Sequence, residues 1–333
     1  NDTDEIGLGY EGSHIYKING KYYIFFIHWP SVRAEACFVA DSLTGEFVGK
    51  DILVDDMGYH EQGVAQGGII DTPEGKWYAM LFQDHGAVGR IPVLVPMHWE
   101  NDFPVLGENG KVPRTFEVRS TRPDYSYRPL YDNDDLKNGI GLNWEWNHNP
   151  VSKLWETGEN GLTITTDRVV KSMTWSVNTL TRRLKFPSCA VEITVDGTQM
   201  KAGDYAGLCA LQSVYGQIAL TKTNSGYALV MSGRENEIET SLRLEAETAP
   251  ATEYERILWE ASCVRFRMEA DFTDMVDEVS FYYQAGQKWR KLGITKKLYF
   301  KLDHFTGCRA GLFYISTEES GGSISFRDFR FTE

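Results

Sequence analysis

Cysteine is scarce in this chain: five in 333 residues (Cys37, Cys189, Cys209, Cys263, Cys308), scattered and without a Cys-x-x-Cys pair. That excludes a disulfide scaffold and a thiolate metal module, and the five read as buried free thiols. A Lys/Arg-rich stretch is also missing, and 34 basic against 47 acidic residues leave a net charge of -13. Nucleic acid and anionic membranes both reward a basic surface, so neither is an expected partner. There is no transmembrane run and no signal-like segment, and the expected location leans to the cytoplasm. A Gly-x-Ser-x-Gly elbow, a phosphate-cradling glycine loop and a His-Glu-x-x-His pair are absent too, which argues against esterase, nucleotide and zinc-protease chemistry.

No long apolar pattern of helical period is evident either, and what fills the chain is short β-rich runs. Ser13 to Phe26 reads as a hairpin, with Ile15, Tyr16 and Ile18 before an Asn19-Gly20 turn and Tyr22 to Phe25 after it. Asn-Gly is the favoured pair for a two-residue type I′ turn. The pattern recurs around Glu74-Gly75, from Gly68 to Phe82, and a period of about 50 residues built from short strands points to propeller blades. Ala36 to Ala40 supplies a further strand and Asp41 to Gly45 a turn, so each repeat is a sheet of three or four strands. Two blades do not close a ring of about four to eight. Residues 1–113 are therefore expected to be the C-terminal part of a propeller whose earlier blades lie on other sequence.

A polar stretch with Ser, charges and two prolines makes 114–130 a linker. From 131 to 333 the texture changes to runs such as Leu162 to Thr165, Ala190 to Val195, Tyr227 to Met231 and Ser323 to Phe326, with turn signals at Asp196-Gly197, Asn224-Ser225-Gly226 and Ala285-Gly286. The spacing fits an antiparallel β-sandwich, and the fold class is all-β. Nine Trp with 17 Tyr and 17 Phe suit both sugar platforms and sheet cores; Trp144, Trp146 and Trp155 are assigned to packing.

Glu11 stands just before the first hairpin, at the mouth of a sheet. A carboxylate there either cleaves a glycosidic bond or only hydrogen-bonds a loop, and residue pattern alone leaves both readings open. The run Glu11-Gly12-Ser13-His14-Ile15-Tyr16-Lys17, followed by Gly20-Lys21-Tyr22-Tyr23, resembles the general-acid motif of glycoside hydrolase family 43, a five-bladed propeller family. Val64-Ala65-Gln66-Gly67-Gly68, Asp71 to Tyr78, Gly89-Arg90 and Pro96-Met97-His98-Trp99-Glu100 continue the resemblance. Asn147-His148-Asn149-Pro150, Asn178 to Thr181 and Gly311-Leu312-Phe313 resemble the concanavalin-like jelly roll that follows the propeller in its β-xylosidase and α-L-arabinofuranosidase branch.

The resemblance implies an exo-acting, inverting hydrolase of xylan- or arabinan-derived oligosaccharides, with Glu11 as general acid and the general base upstream of Asn1. To act so, the acid must hold its proton near neutral pH. Arg90 matches an arginine that reaches the terminal sugar with forked donors. Gln66 stands where many members carry a histidine that contacts a calcium-bound water in the central channel; no cofactor is required, and calcium in that channel is the one metal the resemblance brings. Trp29 is expected under a sugar ring, with Arg33 beside it, and His85 at the same mouth, while His14 is assigned to packing. The expected partners are a pentose-containing oligosaccharide and an upstream propeller half on a separate chain. The alternative is a non-catalytic carbohydrate-binding or structural sandwich with remnant blades: it keeps Glu11 and Arg90 without using them.

Overall fold

The computed structural model of the chain describes residues 10–234, 250–301 and 305–333. It divides into two units, Asn1–His85 with Arg90–Ser126, and Tyr127–Glu333 with the short stretch Gly86–Gly89.

In the first unit, β1 (Glu11–Ile18), β2 (Lys21–His28), β3 (Ala34–Ala40) and β4 (Val48–Leu53) form one antiparallel meander. A second contains β5 (Ala65–Asp71), β6 (Trp77–Asp84), β7 (Arg90–Glu100) and β8 (Phe103–Leu106). Alternation drives the first sheet: Tyr23, Phe25 and Ile27 of β2 are 1–2% exposed, whereas Tyr22, Ile24 and Phe26 are half-buried. Each fully buried side chain of this size contributes about 1.5–3 kcal/mol. Asn19 (φ 50°) and Gly20 (φ 86°) both take the left-handed conformation that a two-residue hairpin turn demands. The second hairpin differs from its sequence echo. Five residues, Thr72 to Lys76, separate its strands, closed by Thr72 N–H to the Lys76 carbonyl and Gly75 N–H to the Thr72 carbonyl, each 2.8 Å. Proline at 73 cannot donate, so the tight two-residue form is unavailable to it. Phe25 and Leu53 of the first sheet join Leu81, Val95 and Leu106 of the second in one core, and β5 packs on β1, β2 and β3.

The second unit begins with β9 (Glu145–Trp146), β10 (Trp155–Gly158), β11 (Gly161–Thr165), β12 (Leu180–Arg183), β13 (Ser188–Asp196), β14 (Asp204–Leu211), β15 (Gly216–Thr223) and β16 (Gly226–Gly233). It continues with β17 (Thr252–Trp259), β18 (Cys263–Asp271), β19 (Glu278–Ala285), β20 (Lys288–Lys291), β21 (Lys296–Lys297), β22 (Arg309–Ser316) and β23 (Ser323–Thr332). One sheet runs β17-β16-β15-β14-β22-β12-β9; the other runs β10-β11-β23-β13-β18-β19-β20, with β21 on β19. They form a sandwich in which β14 packs on β18 and β15 on β19. Ser225 and Gly286 lie in hairpin turns, joining β15 to β16 and β19 to β20. Asp196-Gly197 instead carries the chain from one sheet to the other, since β13 and β14 belong to different sheets. Trp144 is 6% exposed, donates to Asp134 at 2.9 Å and meets Phe329 edge-on, a packing role. The five cysteines are unpaired, four of them buried and Cys263 half-buried. Among the described residues no helix is long and apolar enough to cross a membrane.

Candidate functional site

One edge of the first unit gathers charged residues from both sheets. Glu11 opens β1, Arg33 and Glu35 stand at the start of β3, Gln66 at the start of β5, Asp84 ends β6 and Arg90 opens β7. Antiparallel order brings alternate strand starts and ends to a common edge, which is how residues so distant in sequence meet.

A buried ion cluster sits at the centre. Arg33 and Asp84 are each 6% exposed, and Nη1 of Arg33 donates to Oδ2 of Asp84 at 2.5 Å. Its Nε and Nη2 donate to the Gly63 carbonyl at 3.2 and 3.0 Å. The second Asp84 oxygen lies 3.3 Å from Nε of Arg90. Both guanidinium carbons approach the Phe82 ring, at 4.5 Å for Arg33 and 4.2 Å for Arg90, so one carboxylate and one aromatic face hold two cations together. Burial lowers the pKa of Arg33; Asp84 opposes this, Arg90 adds to it, and Glu11 lies close enough to oppose it too. The sequence pattern offered Arg33 as a sugar contact, and the structure corrects that: the guanidinium is turned inward with every nitrogen engaged, because a buried cation must be fully partnered. Arg90, whose side chain is 26% exposed, is the cation that reaches solvent.

Glu11 is exposed, and it precedes a register shift in the β1–β2 pairing, with Gly12 at φ 66°. A Cβ on Gly12 would stand 2.4 Å from Nε2 of Gln66, so the Gln66 amide lies directly against the peptide that carries the carboxylate. Gln66 is itself left-handed, at φ 65°, beside a register shift in β5. Its N–H donates to Oε2 of Glu35 at 2.7 Å, and its own Oε1 is buried without a donor.

Glu35 is the residue that sequence reasoning missed. It is 1% exposed, and its Oε1 has no donor. Burial pushes the carboxyl up to about 8, against the opposing pull of the Gln66 N–H and of Arg33. The available signal was one charge inside the apolar run Ala34-Glu35-Ala36-Cys37-Phe38. His85 stacks on Tyr59 at 4.1 Å and bonds Oε1 of Gln83 through Nε2 at 2.9 Å. Gln83 Nε2 donates to the Asp56 and Gln62 carbonyls, 2.7 Å each, which leaves its oxygen as acceptor and puts the hydrogen on His85 Nε2. Burial lowers the His85 pKa, Asp84 raises it and His60 lowers it, so the ring is neutral near pH 7. Trp29 is half-buried on the loop leaving β2, two residues past Ile27, the register partner of Glu11. His14 is exposed, with its ring beside Gly68 of β5.

Among the described residues no group of three or more His, Cys, Asp or Glu side chains is placed to hold a metal.

Residues 133–332 match the family described as the β-xylosidase C-terminal concanavalin A-like domain. A β-xylosidase of Formosa agariphila is 28% identical over 181 residues, 46% of this chain and 30% of that protein. The structure of a bifunctional GH43-CE protein of Bacteroides eggerthii is 38% identical with a TM-score of 0.83, covering 98% of this chain and 41% of that one. A GH43 glycoside hydrolase engineered to display both endo-xylanase and exo-arabinofuranosidase activity is 27% identical with a TM-score of 0.86, covering 98% of this chain and 65% of that one. The chain spans 41% and 30% of the first two curated relatives it matches. With propeller meanders in its first unit and the matched sandwich in its second, the chain belongs to glycoside hydrolase family 43 and represents that family's C-terminal region.

Proposed function

We propose that this chain supplies the acid side of an exo-acting, inverting pentosidase site, a β-xylosidase or α-L-arabinofuranosidase acting on xylan- or arabinan-derived oligosaccharides. The observation that carries this reading is the convergence of an exposed Glu11 with a solvent-reaching Arg90 on one edge, braced by the buried Arg33–Asp84 pair. Glu11 protonates the leaving oxygen. Arg90 offers planar, forked donors to the hydroxyls of the terminal sugar. The Gln66 oxygen, which meets no donor among the described residues, accepts from a sugar hydroxyl beside Glu11. Trp29 and the neutral His85 flank the ring. Asp84 already serves two guanidinium groups and is unsuited to activating water; in this reading the general base stands on an earlier blade, as the family resemblance implies, across the room an inverting enzyme leaves for that water.

The test compares xylobiose with 2,4-dinitrophenyl β-D-xyloside and α-L-arabinofuranoside, using the polypeptide completed by its remaining blades. Glu11→Gln is expected to cut xylobiose turnover about 10²–10⁴-fold and to spare the dinitrophenyl substrates, whose leaving group needs no proton. Equal loss on all three, or none, removes Glu11 from the acid role. The 333-residue chain alone is expected to be inactive on each, and activity from it would place the base within these residues.

A further inference from the structure

In the second unit, strand register sets a row of side chains across the seven-stranded sheet. Cys209, Gln217, Ser232 and Glu253 are successive cross-strand partners on β14, β15, β16 and β17, so all four leave the same face. Tyr205, four residues before Cys209 on β14, stands on that face with its β22 partner Ile315. A cavity of about 310 Å³ opens here, lined by Gln217, Ser232, Glu253 and Tyr205 with Val230 and Ile315 as its apolar side. Its size is at the lower end of small-molecule sites, about 300–1,000 Å³.

The polar groups are held in place by one another. Arg256 forks onto Glu253 at 2.6–3.2 Å and also donates to the Tyr205 hydroxyl at 3.3 Å. Gln217, only 3% exposed, donates from Nε2 to the Ser232 hydroxyl at 3.0 Å. Its Oε1 is buried and meets no donor among the described residues. Leaving such an acceptor unpaired costs about 1–3 kcal/mol, and a buried polar atom of this kind in a cavity calls for an incoming donor. Arg256 already answers the Glu253 charge, and Lys171, exposed on the same lining, adds a donor, so the cavity asks for no cation. What fits is a molecule whose hydroxyls donate to Gln217 and accept from Lys171, with a C–H face.

We propose that this cavity is a carbohydrate-binding subsite, in which a neutral sugar residue donates a hydroxyl to Oε1 of Gln217 and lays its C–H face on Val230, Ile315 and the Tyr205 ring. Nothing in this rests on catalysis at Glu11.

The experiment is an NMR titration of the methyl-labelled 333-residue chain with xylotriose and with arabinotriose, in the wild type, Gln217→Met and Arg90→Ala. Saturable shifts of the Val230 and Ile315 methyl resonances are expected in the wild type and in Arg90→Ala, with affinity at least about tenfold weaker in Gln217→Met. The subsite is overturned if neither sugar moves those methyls saturably, or if binding survives Gln217→Met and vanishes with Arg90→Ala. Should Gln217→Met lose its folded spectrum, the wild-type shift map decides: shifts centred on Val230 and Ile315 support the subsite, and their absence removes it. A failed acid assay at Glu11 leaves this outcome untouched, so the two readings fail separately.

Discussion

The two meanders of the first unit are built on one backbone plan and use it differently. In each, the first strand breaks register after its opening residue: Glu11 pairs with Ile27 and pairing resumes at His14, while Ala65 pairs with Phe82 and resumes at Gly68. The second residue is left-handed in both, Gly12 at φ 66° and Gln66 at φ 65°. One strand begins with an exposed carboxylate backed by a glycine; the other begins with a buried alanine backed by a glutamine. The bulge is therefore a general device for re-aiming the opening of a strand, and the side chains placed on it decide its task. Glycine adopts the left-handed form freely, whereas glutamine does so at about 1–2 kcal/mol. The Glu35 carboxyl, which accepts the Gln66 N–H, helps offset that strain.

The largest effect is expected from removing what both sheets lean on. Arg33 comes from the first sheet and Asp84 from the second, and Arg33→Met leaves a buried carboxylate with Arg90 as its remaining guanidinium. A loss of about 3–5 kcal/mol is expected from urea denaturation; a loss under about 1 kcal/mol would mean that Arg90 alone suffices. Next comes Glu35. Its carboxyl is raised to about 8 in the fold against 4.5 for the free group, so between those values the native state binds the extra proton and stability falls as pH rises. The favourable state is full below about 4.5 and is lost by about 8, over a total of a few kcal/mol. Glu35→Gln keeps an acceptor for Gln66 and is expected to flatten the slope of unfolding free energy across that window. An unchanged slope would show that the carboxyl is ionised in the fold.

Much of the first sheet was legible because alternation and Asn19-Gly20 are local signals, each sufficient to shape its own segment. The Thr72 to Lys76 loop was not, since Glu74-Gly75 imitates a tight turn and only the cross-strand register shows the extra residues. Asp196-Gly197 was legible as a turn, yet a turn-forming pair says that the chain bends, not which sheet it bends into. Glu11 and Arg90 were legible from a motif resemblance, whereas the inward turn of Arg33 depends on Asp84, 51 positions away in sequence. Glu35 was hidden for the same reason. Its partner Gln66 lies on another sheet, and a single carboxylate in an apolar strand does not name its acceptor or donor.

Smaller effects are expected at the paired bulge residues. Gly12→Ala must accept a left-handed alanine and also push aside the Gln66 amide that stands 2.4 Å from the new Cβ, for an expected loss of about 2 kcal/mol. In a Gln66→Gly background the steric part disappears and the loss should shrink to about 1 kcal/mol, a coupling that a double-mutant cycle reads directly. Gln66→Gly alone is the smallest effect. It relieves the left-handed strain and keeps the N–H to Glu35, yet gives back chain entropy to the unfolded state, so a net gain of at most about 0.5–1 kcal/mol is expected. In the completed enzyme the same change removes the amide beside Glu11, so KM for xylobiose should rise while stability does not fall. Unchanged KM with unchanged stability would mean that the second sheet's glutamine is only a spacer for Glu11.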